Sequence, residues 1–257
     1  MIIGATYAAL VTRPTLLVVE HAETCGPGAF EGWLAEAGLH LELLRPYQGD
    51  SVPDHVPADG LLVLGGPMAA WEDDVAPWLP AVRDLLRRAV ADGTPTLGIC
   101  LGIQLLALAL GGEVTKAPYG PELGAPRVRP RPGAGADELL GWLPPTGVPA
   151  VQWHSDAVVT PPPDVVWLAE SDAYPYQGFR VGPAAWGVQF HPEATPPIVA
   201  RWRDEESVDL AAAGVDMATP YEEVEREART HPEAWRPLAE CFAGVVAAGA
   251  ALPRTGS

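Results

Sequence analysis

A chain of 257 residues that is 48% hydrophobic and 19% charged is long enough to bury a large core and too apolar to be disordered. Its formal charge of −17 argues against nucleic acid as a partner, because neutralising phosphates needs clustered Lys or Arg, and lysine occurs once, as Lys116. Three widely spaced cysteines, Cys25, Cys100 and Cys241, form neither a disulfide framework nor a metal knuckle, so a reducing cytoplasm is the expected setting.

The opening MIIGATYAALVTRP lacks a basic n-region and is read as an extra strand or an N-terminal arm, not a signal peptide. No apolar run reaches the ~18 residues of a membrane span. Short apolar runs then alternate with helical segments. TLLVVE (15–20) reads as a buried strand, AFEGWLAEAGLH (29–40) as an amphipathic helix and LELLRP (41–46) as a second strand. GLLVLGG (60–66) is a third strand ending in a glycine turn, and residues 76–93 form a helix closed by Gly93. TPTLGI (94–99) is a fourth strand, and LGIQLLALALGG (101–112) a helix that follows at once. Such alternation predicts a parallel sheet covered by helices on both faces.

From about residue 113 the pattern changes. AVQWH, VVWLAES, YQGFRV and AAWGVQF are short, aromatic and bounded by turn residues, which predicts a more antiparallel continuation of the same sheet. RPRPGAGADE (129–138) is the one linker-like stretch. Beyond residue 195 the chain reads as helical. Its DEESVDL and YEEVERE runs are taken as solvated helix faces, with dimerisation or docking as the alternative. The expected organisation is one domain over 1–257, with a core at about 15–202 and a helical extension at about 203–257.

Cys100 stands where the fourth strand turns into a helix, as Gly98-Ile99-Cys100-Leu101-Gly102. This has the form of the nucleophile elbow G-x-S-x-G. A reversal that sharp strains the central residue, and side chains two positions away would collide, so glycine is required there. The sulfur is left at the positive end of the helix dipole, which favours a thiolate. An unpaired cysteine is usually a small core residue; the two glycines and the strand-to-helix switch favour a nucleophile here. Cys241, in an apolar helix, is read as core, and Cys25, in the ETCGPG loop, is given no role. Attack on a carbonyl needs donors for the oxyanion. The elbow offers the N–H of Leu101, and the Gly65-Gly66-Pro67 loop after the third strand offers a second donor.

HPEA occurs twice, at 191–194 and 231–234. The first copy ends the apolar strand AAWGVQF, where His191 can meet other strand ends and Glu193 can orient its imidazole. In the second, Thr230 and Glu233 have the spacing of a capping box with Pro232 in the first turn, so His231 is read as helix punctuation.

LGICLGIQLLALALGG, VLGGPM and GVQFHPE together resemble the class I (triad-type) glutamine amidotransferases, in order over residues 15–202. QWHSDAVVTPPPDVVWLAES resembles the branch near GMP-synthetase glutaminase domains. The resemblance implies a flavodoxin-like three-layer α/β sandwich: a mainly parallel central sheet, antiparallel additions and extra C-terminal helices. It implies Cys100, His191 and Glu193 as the triad, Gly66 and Leu101 as oxyanion donors with Gly65 as the alternative, and Gln104 as a residue that helps hold glutamine. His154, Ser155 and Asp156 either line the pocket or form a polar turn. Two departures stand out: Ile103 is bulky for its place, and Ala125-Pro126 replaces a Trp-containing continuation after PYGPELG.

The implied reaction is hydrolysis of the glutamine side-chain amide through a Cys thioester, with no metal or organic cofactor. Without a P-loop or second catalytic domain in the sequence, the ammonia acceptor is expected on a separate synthase subunit. A free-standing γ-glutamyl hydrolase or peptidase with the same triad is the first alternative, and a non-catalytic regulatory subunit the second.

Overall fold

Four short strands build one half of the molecule: β1 (Thr15–Val19), β2 (His40–Leu44), β3 (Gly60–Val63) and β4 (Thr96–Ile99). They are linked by α1 (Ala29–Glu36) and α2 (Leu79–Ala91), and α3 (Leu101–Ala109) leaves directly from β4. The computed structural model describes residues 13–212, 214–231 and 233–251. The reading of the opening peptide as a strand or arm therefore falls on residues outside that range.

Every residue of β3 and β4 is buried, as a strand covered on both faces requires. Neighbouring side chains go to opposite faces. Leu16, Val18, Leu62, Leu97 and Ile99 join Phe30 and Leu34 of α1 in one apolar cluster. Leu17, Val19, Leu61 and Val63 join Val82, Leu85 and Leu86 of α2 and Leu105 and Leu106 of α3 in another. The result is the expected three-layer α/β sandwich.

The remaining strands are β5 (Glu113–Lys116), β6 (Glu122–Gly124), β7 (Arg127–Pro130), β8 (Val148–Pro149), β9 (Gln152–His154), β10 (Asp156–Thr160), β11 (Val166–Glu170), β12 (Gly178–Val181) and β13 (Ala185–Val188). The main sheet has the order β2-β1-β3-β4-β13-β12-β11-β7-β8. Its first five strands are parallel and the others antiparallel.

Three details depart from the sequence reading. AAWGVQF does not begin the antiparallel part: β13 runs parallel to β4, with Gly98 opposite Gly187. AVQWH leaves the main sheet altogether, because β9 pairs with β6 in a two-stranded sheet, and β10 pairs with β5 in another. The stretch 129–138 is no linker. It carries the end of β7 and a 3-10 turn, Pro132–Ala136, whose Ala134 is buried in the core.

After residue 195 come α4 (Pro196–Ala212), α5 (Ala218–Thr230) and α6 (Arg236–Ala250). Leu238, Phe242 and Val246 of α6 lie in the same cluster as α1, so this helix completes one layer of the sandwich. Cys241 is only half-buried, at the margin of that cluster, and burial pushes its thiol up. None of the described helices is long and apolar enough to cross a membrane.

Candidate active site

Cys100 adopts φ 51° and ψ −104°; Asp164 is the only other non-glycine residue with positive φ among the described residues. Such a conformation costs energy and persists only where the surroundings enforce it. Here they do: the Cys100 N–H donates to Val188 O at 2.9 Å and its carbonyl accepts from Gln104 N at 3.3 Å. The flanking glycines are sterically required. A Cβ on Gly98 would lie 2.6 Å from the Gly102 carbonyl, and one on Gly102 would overlap Val63 O. The bulk of Ile103 is received by Gly187, where a Cβ would overlap the isoleucine side chain.

Beyond the elbow opens a cavity of about 680 Å³ lined by Cys100, Leu101, Gln104, Gly66, Asp156 and Glu205, among others. Gly65 lies between the two reacting residues: a Cβ there would be 3.0 Å from His191 Cε1 and 3.7 Å from Cys100 Cβ. The absence of that carbon lets the imidazole approach the cysteine. Gly66 is equally confined, with Leu101, Met68 and His21 all within 2.9 Å of where its Cβ would stand.

His191 is fixed in a short bridge after β13, its N–H donating to Val151 O at 2.8 Å. Its Nδ1–H faces Glu193 Oε1 at 2.8 Å, which leaves the other ring nitrogen free to serve Cys100, the residue that flanks Gly65 beside it. Burial pushes the imidazole pKa down. The charges of Cys100 and Glu193 and the hydrogen bond to Glu193 outweigh it, and His191 stands well above the ordinary histidine value. Glu193 is 2% exposed, and its second oxygen has no hydrogen-bond partner among the described residues. The carbonyl of Glu193 accepts from Ala29 N at 2.9 Å, so the start of α1 pins the turn.

Gln104 lines the cavity, and its amide nitrogen is already engaged, donating to Asp156 O at 3.1 Å and Gln189 Oε1 at 3.3 Å. His154, Ser155 and Asp156 all line the cavity wall. The His154 ring is occupied on both sides, by Asp156 O at 2.9 Å and Glu122 Oε2 at 3.1 Å. Ser171 and Gln177 complete that buried network around Glu122. Asp156 Oδ1 has no hydrogen-bond partner among the described residues and lies 3.8 Å from Lys116 Nζ. Burial raises the Asp156 carboxyl, with Lys116 opposing and Glu72 reinforcing.

Three residues at the site were not singled out from the sequence. Trp202 of α4 packs on the His191 ring, centroids 4.5 Å apart, and its Nε1 donates to Thr24 O at 2.8 Å. Gln189 donates to Cys100 Sγ at 3.6 Å; its spacing of two from His191 was the available clue. His21, under Gly66, is fully buried and its pKa falls to about 4 through desolvation. Cys25 is buried beside Trp153, Val199 and Trp202.

The second HPEA lies elsewhere. Thr230 is the last residue of α5 and bonds back to Arg226 O and Glu227 O, while α6 begins only at Arg236. The expected capping box is therefore not formed: Thr230 still belongs to the preceding helix, and Glu233 lies before the helix that follows. His231 is exposed, 3.2 Å from Glu227 Oε2. Pro232 lies outside the described residues.

Residues 32–198 match the model of the class-I glutamine amidotransferase family. The chain is 44% identical to a subunit of the glutamine-hydrolysing GMP synthase of Sulfurisphaera tokodaii over 158 residues, 61% of this chain and 77% of that one. It is 32% identical to a GMP synthase of Thermus thermophilus over 209 residues, 79% of this chain. It spans only 38% of that relative, and 29% of the GMP synthase of Aeropyrum pernix. Among solved structures, a glutamine amidotransferase from Methylobacillus flagellatus superposes with a TM-score of 0.79 at 31% identity, covering 95% of this chain and 97% of the other. One from Thermotoga maritima gives 0.75 at 27%, covering 90% and 99%.

Proposed function

The chain belongs to the class I glutamine amidotransferase family, and on that footing we propose that it hydrolyses the side-chain amide of L-glutamine through a thioester on Cys100. The observation that carries this reading is the convergence of three side chains: Cys100 on a strained elbow, His191 beside it across Gly65, and Glu193 2.8 Å behind the imidazole.

In this mechanism the Cys100 thiolate, paired with protonated His191, attacks the amide carbon. The N–H groups of Leu101 and Gly66, with Gly65 as the alternative, stabilise the tetrahedral oxyanion. His191 then gives its proton to the departing nitrogen, and ammonia leaves with the C–N bond. Neutral His191 next takes a proton from water, whose hydroxide adds to the thioester. Collapse breaks the C–S bond, releasing glutamate and regenerating the thiolate. Glu193 holds the ring orientation and stabilises the imidazolium throughout. Gln104 and Asp156 contact the amino-acid end of the substrate, and His154 and Ser155 shape that wall through the network around Glu122.

A separate synthase subunit would receive the ammonia. The naming of the Sulfurisphaera relative as a subunit supports that arrangement. A second reading is supported by the cavity itself, which at about 680 Å³ extends past Cys100 to Lys116, Glu205 and Val215 and holds more than a glutamine. On this reading the chain cleaves larger γ-glutamyl amides with the same triad. A purely regulatory role has the complete Cys, His and Glu set against it.

The test is glutamate release from glutamine and from a panel of γ-glutamyl peptides, comparing the wild type with Cys100→Ala. Cys100-dependent release from glutamine supports the first reading, and release from peptides alone replaces it with the second. No Cys100-dependent release from any of them overturns both.

A further inference from the structure

Cys100 has a polar neighbour that belongs to neither the triad nor the oxyanion donors. Gln189 is 1% exposed, and its Nε2 donates to Cys100 Sγ across 3.6 Å. Which end of an amide faces a partner must be settled by the surrounding bonds. Here the other end decides it, because Gln189 Oε1 accepts from Gln104 Nε2 at 3.3 Å. Gln104 Nε2 is itself anchored on the Asp156 carbonyl at 3.1 Å, so it is committed as a donor. A reversed Gln189 would set nitrogen against nitrogen at one end and oxygen against sulfur at the other. The backbone of Gln189 is held too, its N–H donating to Gln177 O at 3.0 Å.

We propose that Gln189 is a catalytic residue that stabilises the sulfur of Cys100 as an anion. The inference rests on Cys100 being the nucleophile. His191 and Gln189 then act on one atom in different ways. His191 exchanges a proton with the reacting groups. Gln189 keeps its own proton and only donates a hydrogen bond, which favours the charged form of its partner. That bond counts twice in a thioester cycle. It favours the thiolate before attack, and it favours the same thiolate as leaving group when water cleaves the acyl bond. The chain Asp156 O, Gln104, Gln189, Cys100 also ties the cavity wall that receives substrate to the sulfur. Displacing Gln104 would loosen the amide that points at the nucleophile.

The proposal is tested without knowledge of the substrate. Purified wild type, Gln189→Met and Gln189→Glu are alkylated with iodoacetamide from about pH 4 to about pH 10, and the rate at Cys100 is followed by mass spectrometry of its peptide. Gln189→Met keeps the length without a donor; Gln189→Glu keeps the shape and adds a negative charge. For Gln189→Met the midpoint of the thiolate limb is expected to rise by about one pH unit, a loss of about tenfold in rate on the acid side of that midpoint. Gln189→Glu should lose more, and all three rates should converge at high pH. Either variant suffices if the other fails to fold, and unchanged alkylation of Cys241 certifies the fold. A reactive Cys100 whose profile neither substitution moves overturns the proposal alone. A wild-type Cys100 no more reactive than Cys241 overturns the nucleophile reading and this proposal with it.

Discussion

The indole of Trp202 lies against the imidazole of His191, ring centroids 4.5 Å apart and planes inclined by 51°. Trp202 follows the segment matched by the family model, which ends at residue 198, yet it forms one wall around the proposed general base. Its Nε1 is tied to Thr24 O, so the ring cannot swing away without breaking that bond.

An aromatic face against a protonated imidazole stabilises the cation by about 0.5–2 kcal/mol. Trp202→Phe, which keeps a ring but loses the bond to Thr24, is expected to retain most turnover. Trp202→Ala is expected to lower kcat by about three- to thirtyfold, with the limb of the pH profile that reports His191 moving to lower pH. A Trp202→Ala enzyme with an unmoved limb would reduce Trp202 to packing.

The two HPEA copies give a direct contrast. His191 is buried between Glu193 and Cys100, whereas His231 is exposed at the end of α5 and pairs with Glu227. His191→Ala is expected to lower turnover by at least about a hundredfold, the usual scale for losing a general base. His231→Ala should leave it within about twofold of wild type, since an exposed ion pair is worth little. Steady-state assays of the two variants side by side check this.

What could be read in advance was local. Gly98, Cys100 and Gly102 announce a strained elbow; the demand on Gly98 does act within those five residues, against the Gly102 carbonyl, whereas Gly102 is held to glycine by Val63 O of β3. The parallel half was equally legible, since a strand covered on both faces has to be continuously apolar. Non-local partners were not legible. Trp202 reaches His191 from α4, and Glu122 meets His154, Ser171 and Gln177 across four separate segments. The placement of β13 between β4 and β12 was hidden for the same reason: AAWGVQF looks like any short aromatic strand until its neighbours are known. The misread capping box at Thr230 turned on which helix claims a threonine, and spacing alone does not decide that.

The elbow predicts opposite effects from two small substitutions. Gly102→Ala places a carbon against Val63 O, a backbone atom that cannot turn aside, and is expected to destabilise by more than about 2 kcal/mol. Cys100→Gly removes the side chain from a residue at φ 51°, where L residues are strained. It should therefore unfold at higher denaturant than Cys100→Ala, by about 1 kcal/mol. Urea titrations of the three variants would expose a failure if Cys100→Ala proved as stable as Cys100→Gly.

His21 supplies a pH dependence of stability. The ring is fully buried, Trp78 Nε1 donates to its Nδ1 at 3.0 Å, and its Nε2 has no hydrogen-bond partner among the described residues. Desolvation lowers its pKa from 6.5 to about 4. Between those values the unfolded chain binds a proton that the folded chain refuses. The contribution of a neutral His21 is therefore fully present above pH 6.5 and lost as pH falls toward 4. Over the whole window the loss amounts to about 3 kcal/mol, and below pH 4 both states are protonated and nothing further is lost. His21→Asn can keep an acceptor for Trp78 without a group that titrates. Its stability, measured by urea unfolding at about pH 7 and about pH 4.5, should fall less on acidification than that of the wild type. Equal losses in the two proteins would mean that His21 is not the group responsible.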